Sequence, residues 1–293
     1  MATRTLVGTN ADFENTTNWS GATAPANGDS VLILEGSQTF TTNMDQGDQD
    51  WTLLVFGQDW TGKITTTNKL IVGAATAIKI NCPNCPELAI STDDAHTTTS
   101  CYVYATGTGP YACYLTGESG QTGLFTSLYV MGGNVHLGST AKVTNLWVAK
   151  SAKVWIDSGA LITTLRNWGT VYNEAAVTTI YQYGGEFRHQ GRTTSDVTTF
   201  AVYGGIVKLD CENGAAESIG VLHAYAGFVD GTQYSYSNTI NADAVGTIGP
   251  TARVWLNQQA TITNDFYDYT MGEGYRGPAS GTTEMVPQVP LGA

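Results

Sequence analysis

A block of residues that recurs down the chain with variable spacing constrains the fold more than any other feature. Thr126-Ser-Leu128-Tyr-Val130-Met-Gly132-Gly-Asn-Val135-His-Leu137 is followed by Thr144-Asn-Leu146-Trp-Val148 with Ala152-Lys-Val154-Trp-Ile156. Further copies are Thr163-Thr-Leu165-Arg-Asn-Trp-Gly169-Thr-Val171-Tyr-Asn173, Thr178-Thr-Ile180-Tyr-Gln-Tyr-Gly184-Gly-Glu-Phe187-Arg-His189 and Thr198-Thr-Phe200-Ala-Val-Tyr-Gly204-Gly-Ile-Val207-Lys-Leu209. A looser copy ends the series at Val221 to Val229. Each has a Thr pair or a relative of it, an apolar residue, a short strand, glycine, then a second alternating strand. The spacing from Leu128 to Leu146 is 18 residues, then 19 to Leu165, 15 to Ile180 and 20 to Phe200. A helical repeat that lost four residues would rotate its apolar face away from the core. A coil of strands absorbs the difference in one corner loop.

The pairs Leu128/Val130 and Val135/Leu137 are spaced for alternate side chains of a strand to point inward. Gly132-Gly133, Gly184-Gly185 and Gly204-Gly205 supply corners, where glycine adopts backbone angles that other residues resist. Successive turns that hydrogen-bond at about 4.8 Å stack equivalent residues into columns. The Thr pairs are therefore expected as a β-branched column with hydroxyls bonding along it. A sandwich of hairpins would need a regular series of Asn-Gly or Asp-Gly turns, and three dipeptides, Asn27-Gly28, Asn213-Gly214 and Asp230-Gly231, have that form. Composition agrees: charged residues are 13% of the chain, too few to coat helices, while Thr, Val, Ile, Tyr and Trp suit strands. The expected fold is all-β, a single-stranded β-helix (β-solenoid) with an N-terminal cap and an extended C-terminal arm. The boundaries are 1–60 for the cap and first strands, 61–265 for the solenoid and 266–293 for the arm. Residues 81–123, rich in Cys, Tyr, Thr and Gly, are too irregular to place on turns.

The chain carries a net charge of −12, which disfavours nucleic acid as a partner. The acidic run Met44-Asp-Gln-Gly-Asp-Gln-Asp50 lacks calcium-loop spacing and reads as a solvated loop. No run of about 18 apolar residues is present, so no membrane-spanning helix is expected. The N-terminus lacks the apolar stretch of a signal peptide, and five cysteines are an odd number for a disulfide framework.

Three groups of residues are candidates for chemistry. Cys82 and Cys85, with Cys101 and Cys113, have part of a zinc-site pattern, but the second pair has the wrong spacing and buried thiols fit better. Asp157, Glu174 and Asp210 fall at similar offsets in successive turns, with His189 between them, and a column of acids could act on a glycosidic bond. Solvated turn residues account for them as well. Trp147, Trp155, Trp168 and Tyr172 alternate with inward positions, and a row of outward aromatics suits a subunit interface better than a sugar. No phosphate loop, zinc-protease helix or nucleophile elbow is present. The sequence nominates no catalytic, cofactor-binding or metal residue, and a non-enzymatic protein is expected.

The opening Trp19-x-Gly21-x-x-x-Pro25-x-x-x-Asp29-x-Val31-x-Ile33, leading into Gly- and Thr-rich turns, resembles β-helical structural proteins of tailed-phage particles. Similar openings occur in adhesin-like bacterial β-solenoids. The resemblance implies a homotrimer on the virion, assembled in the host cytoplasm. It would contact the major capsid protein or other virion proteins as a cement or decoration protein of the head, with neither nucleic acid nor membrane as partner. The alternative it implies is a tailspike or fibre that binds, or binds and cleaves, host surface polysaccharide. A secreted adhesin would need an export route that the sequence does not display.

Overall fold

The computed structural model describes residues 1–93, 96–109, 111–118, 124–190, 197–209, 217–231, 240–256 and 275–276. The chain is an all-β solenoid. Its strands pair in parallel with strands one turn away, and the described helix is limited to a three-residue 3-10 turn, Thr16–Asn18. Residues group into two compact units, Met1–Ile162 and Thr163–Ala293.

In the first unit the parallel pairing starts at the N-terminus, where Thr3–Thr5 lies against Ser30–Gly36. Ser30–Gly36 pairs with Trp51–Trp60, which pairs with Ala75–Asn81, then Thr97–Ala105, Leu124–Val130 and Lys142–Val148. A second stack takes the other strand of each turn, from Glu87–Thr92 through Tyr114–Gly117 and Gly133–Leu137 to Ala152–Ile156. The stretch 81–123 is thus coil as well, where described. Its strands were hidden because Cys101 and Thr98, rather than aliphatic residues, occupy inward places beside Ile78 and Ala75. The acidic run also belongs to the coil: Asp45–Gln46 pairs with Ile71–Val72, Met44 and Gln46 turn inward, and Asp45, Asp48 and Asp50 remain exposed.

The motif at the head of the chain closes this unit's first turns. Trp19 is buried and donates through Nε1 to the Phe13 carbonyl at 2.7 Å. Asp29, also buried, accepts from the Ala2 amide at 2.6 Å, the Ala26 amide at 3.3 Å and the Arg4 guanidinium at 3.1 Å.

In the second unit the registers expected from the repeat are present. Ile180 pairs with Phe200 and Phe200 with Leu222, while Phe187 pairs with Val207 and Val207 with Val229. In the first unit, likewise, Leu128 pairs with Leu146 and Val135 with Val154. Inward Leu, Ile, Val and Phe side chains are fully buried, each contributing about 1.5–3 kcal/mol of transfer free energy. Asp230-Gly231 makes no hairpin but lies within the strand Glu217–Gly231, opposite Trp255-Leu256.

The Thr pairs occupy a different place from the one expected. They lie inside strands, not before them. In Leu124–Val130, Lys142–Val148 and Ala176–Gln182 strict alternation breaks once, and two successive residues face away from the core. Thr126-Ser127, Thr144-Asn145 and Thr178-Thr179 fill those two places, between inward Phe125, Val143 or Val177 and inward Leu128, Leu146 or Ile180. Each strand bends there, and small β-branched polar residues suit a position that is outward yet still extended. In the looser copy Gly220 sits at the bend, where a Cβ would come within 2.8 Å of the Thr198 carbonyl.

The glycine corners follow the expectation. Gly133, Gly185, Gly205 and Gly227 have φ of +80°, +66°, +80° and +86°. Beyond residue 256 the described chain is the pair Tyr275–Arg276, whose backbone lies beside Val254–Trp255. The rest of the proposed arm, including Gly272, Pro278, Met285 and Pro290, lies outside the described residues.

Candidate functional site

Cys82, Cys85, Cys101 and Cys113 are all buried and free of disulfides. The Cys85 thiol reaches the Gly62 carbonyl at 3.3 Å. A hydrogen bond to Cys85 and then burial push the Cys82 thiol upward, and burial alone raises that of Cys101. Burial raises Cys113 too, with Cys101 and Cys85 adding to it, so three of these thiols are held protonated in one region of the core. Among the described residues no group of three or more His, Cys, Asp or Glu side chains is arranged to hold a metal ion.

Of the three acids, Asp157 belongs to the first unit and Glu174 to the second. In the first unit Asp157 accepts from His136 Nε2 at 2.6 Å, and the His136 ring lies against Tyr111 and Tyr114 with centroids 4.9 and 5.4 Å away. In the second unit His189 is buried and its Nδ1 lies 3.0 Å from the Asn173 amide. His189 pairs in register with Asn173, so it stands one place out of step with Glu174. The corner Tyr183-Gly184-Gly185 is one residue longer than Trp168-Gly169, and that residue causes the shift. Counting offsets from the first apolar residue misses it. Asp210 lies outside the described residues.

The outward aromatics form ladders. In the first unit Trp147 stacks on Tyr129 at 4.5 Å and Tyr129 on Tyr102 at 4.9 Å, with planes within 13° of parallel. Trp155 lies under the Lys153 ammonium at 4.7 Å. In the second unit Tyr172 faces the Arg188 guanidinium at 5.8 Å.

Trp168 begins a longer column. It stacks on Tyr183 at 4.5 Å, Tyr183 on Tyr203 at 5.1 Å and Tyr203 on Tyr225 at 4.9 Å, with interplanar angles of 11°, 11° and 14°. Trp168, Tyr183 and Tyr203 directly precede a corner glycine, and Ala226 stands between Tyr225 and Gly227. The corner glycines let the backbone repeat closely, since a Cβ on Gly205 would lie 2.5 Å from the Gly185 carbonyl and one on Gly227 2.7 Å from that of Gly205. The Ile206 and Phe228 amides donate to these same two carbonyls at 2.9 and 3.0 Å. Four rings are thereby set one above another and remain 36–42% exposed. Together with Ile206, they are the exposed large apolar side chains among the described residues of this unit.

Sequence reasoning singled out Trp168 but passed over Tyr183, Tyr203 and Tyr225. The signal was an aromatic residue at the start of the corner in four successive copies. Chemically the ladder offers ring edges and hydroxyls, because the faces of Tyr183 and Tyr203 are covered by their neighbours. Sugar stacking needs a free face.

The first unit also carries an open groove of about 540 Å³, flanked by Thr52, Thr76, Thr97 and Thr99 and floored by Ala74 and Ala75. Trp51, Ala75 and Thr98 lie in register there on three successive turns. Asp50 stands on the groove wall, and His96 bridges toward it at 3.8 Å while holding Asp93 at 2.6 Å. Threonine hydroxyls, Asn27 and the Asp50 carboxylate line it together with Trp51, a lining that suits a neutral, hydroxyl-rich ligand.

Compared with protein-family models, with curated proteins and with solved structures, the chain matches none.

Proposed function

We propose that this chain is a non-enzymatic structural protein of a tailed-phage particle, a homo-oligomeric cement or decoration protein of the head. The observation that carries the reading is the Trp168–Tyr225 ladder, an exposed apolar strip built from closed-face rings that suits docking better than catalysis. Parallel strands bonded turn to turn give a scaffold that yields only by breaking many hydrogen bonds together, which suits a load-bearing role. Contacts made only by the folded chain would stabilise the assembled shell by mass action. The phage assignment rests on the resemblance of the Trp19 to Ile33 segment. Imaging purified particles tests it: density for the coil on the head supports the reading, and particles that lack it entirely defeat it.

The groove of the first unit favours a second reading, a tailspike or fibre that contacts surface polysaccharide. Density on the tail, together with retention of neutral host glycans by the purified chain, would replace the first reading with this one.

A further inference from the structure

We infer that the corner ladder Trp168, Tyr183, Tyr203 and Tyr225 is the surface through which one copy of this chain docks on a second copy. The inference deepens the structural reading above and rests on it for its context.

Charge points to the occupant. Each copy carries −12, so two copies repel over most approaches. The corners Trp168-Gly169, Tyr183-Gly184-Gly185, Tyr203-Gly204-Gly205 and Tyr225-Ala226-Gly227 contain no charged residue. The charges that flank them are engaged within their own chain. Arg166 lies over the Tyr181 ring at 5.4 Å, and Glu186 takes Arg188 at 2.7 Å and Lys208 at 3.0 Å. The strip is therefore a place where two acidic copies meet without opposing like charges, and a cationic partner finds no anionic row on it.

Pitch agrees. The rungs rise by 4.5, 5.1 and 4.9 Å, close to the spacing of parallel strands. A partner that meets every rung needs the same repeat, and a second copy has it. Tyr and Trp are the residues that interface energetics favour, since each covers a large area at a small cost in side-chain entropy. Ile206, 43% exposed beside the Tyr203 corner, widens the apolar strip.

Sedimentation velocity of the full chain tests this. The wild type is expected to be oligomeric, and the double variant Tyr183→Lys/Tyr203→Lys to associate at least about 100-fold more weakly. Ile206→Lys, which leaves the ring stack intact, is expected to weaken association about tenfold, and decides the matter should the double variant fail to fold. Folded variants that associate as tightly as the wild type overturn the inference. A wild-type chain that is monomeric in solution yet present on particles overturns it while leaving the particle reading standing; an oligomer absent from particles does the reverse.

Discussion

Asn167 and Gln182 are joined inside the second unit by a 2.8 Å hydrogen bond from the Asn167 amide to the Gln182 side-chain oxygen. Both are fully buried, one turn apart, on the inner side of the corner that carries Trp168 and Tyr183 outside. Asn167 Oδ1 accepts from the Gly169 amide at 2.9 Å, so this polar pair satisfies corner backbone that inward aliphatic residues would leave bare.

Replacing both partners should therefore cost less than the two single replacements add up to. Asn167→Leu strands the Gly169 N–H and the Gln182 oxygen, and is expected to lower stability by about 2–4 kcal/mol in urea unfolding. The double variant Asn167→Leu/Gln182→Leu should fall short of the summed single effects by about 1–2 kcal/mol. Strict additivity would show that the two side chains do not support one another.

Asp29 makes the first unit sensitive to acid. Burial alone would raise its carboxyl, but the Ala2 amide, the Arg4 guanidinium and the Ala26 amide hold it below the usual range. A carboxyl depressed in the folded state contributes stability that is complete above the unfolded value of about 4 and is lost as pH falls through the folded one. Asp29→Asn is expected to cost about 2 kcal/mol at neutral pH. Thermal unfolding followed from pH 7 downward should show the two proteins converging below about pH 4. A gap that does not change with pH would count against the ionised carboxylate as its source.

Two glycines with the same backbone angle should respond differently to the same change. Gly28 and Gly205 both have φ of +80°. A Cβ on Gly28 meets nothing within 4 Å, whereas one on Gly205 lies 2.5 Å from the Gly185 carbonyl oxygen. Gly28→Ala should cost about 1 kcal/mol of backbone strain. Gly205→Ala should cost about 3 kcal/mol or more, because the close turn-to-turn approach must open as well. Equal melting-temperature losses would show that backbone angle alone sets the corner.

The four described cysteines should be inert while the protein is folded. A hydrogen bond to Cys85 in the case of Cys82, and burial, keep Cys82, Cys101 and Cys113 as thiols, the unreactive form; Cys85, whose thiol the Cys82 hydrogen bond lowers, is shielded by complete burial. In a Cys211→Ser background, a charged aromatic disulfide reagent at pH 8 should label no cysteine before unfolding and all four after it. Rapid labelling of the native protein would place one of these thiols at the surface.

Much of the fold was legible in residue order. Alternation of apolar and polar residues is a local consequence of strand geometry, so Leu128 with Val130 or Val135 with Leu137 declares an inward column before any partner is known. The glycine corners were legible for the same reason, since left-handed backbone angles restrict residue choice at one position. The turns before Leu124 were harder to see, because Cys101, Thr98 and Gln46 stand in inward places where an aliphatic residue is expected.

Which residues stack was decided by the tertiary structure. The single extra glycine in the Tyr183-Gly184-Gly185 corner moves His189 from the column of Glu174 to that of Asn173 and sends it into the core. The corners likewise turned four aromatics, separated in sequence by 15 to 22 residues, into one continuous ladder. The direction of a strand's side chains depends on its own residues, whereas the height at which they meet their neighbours depends on the length of every corner between them.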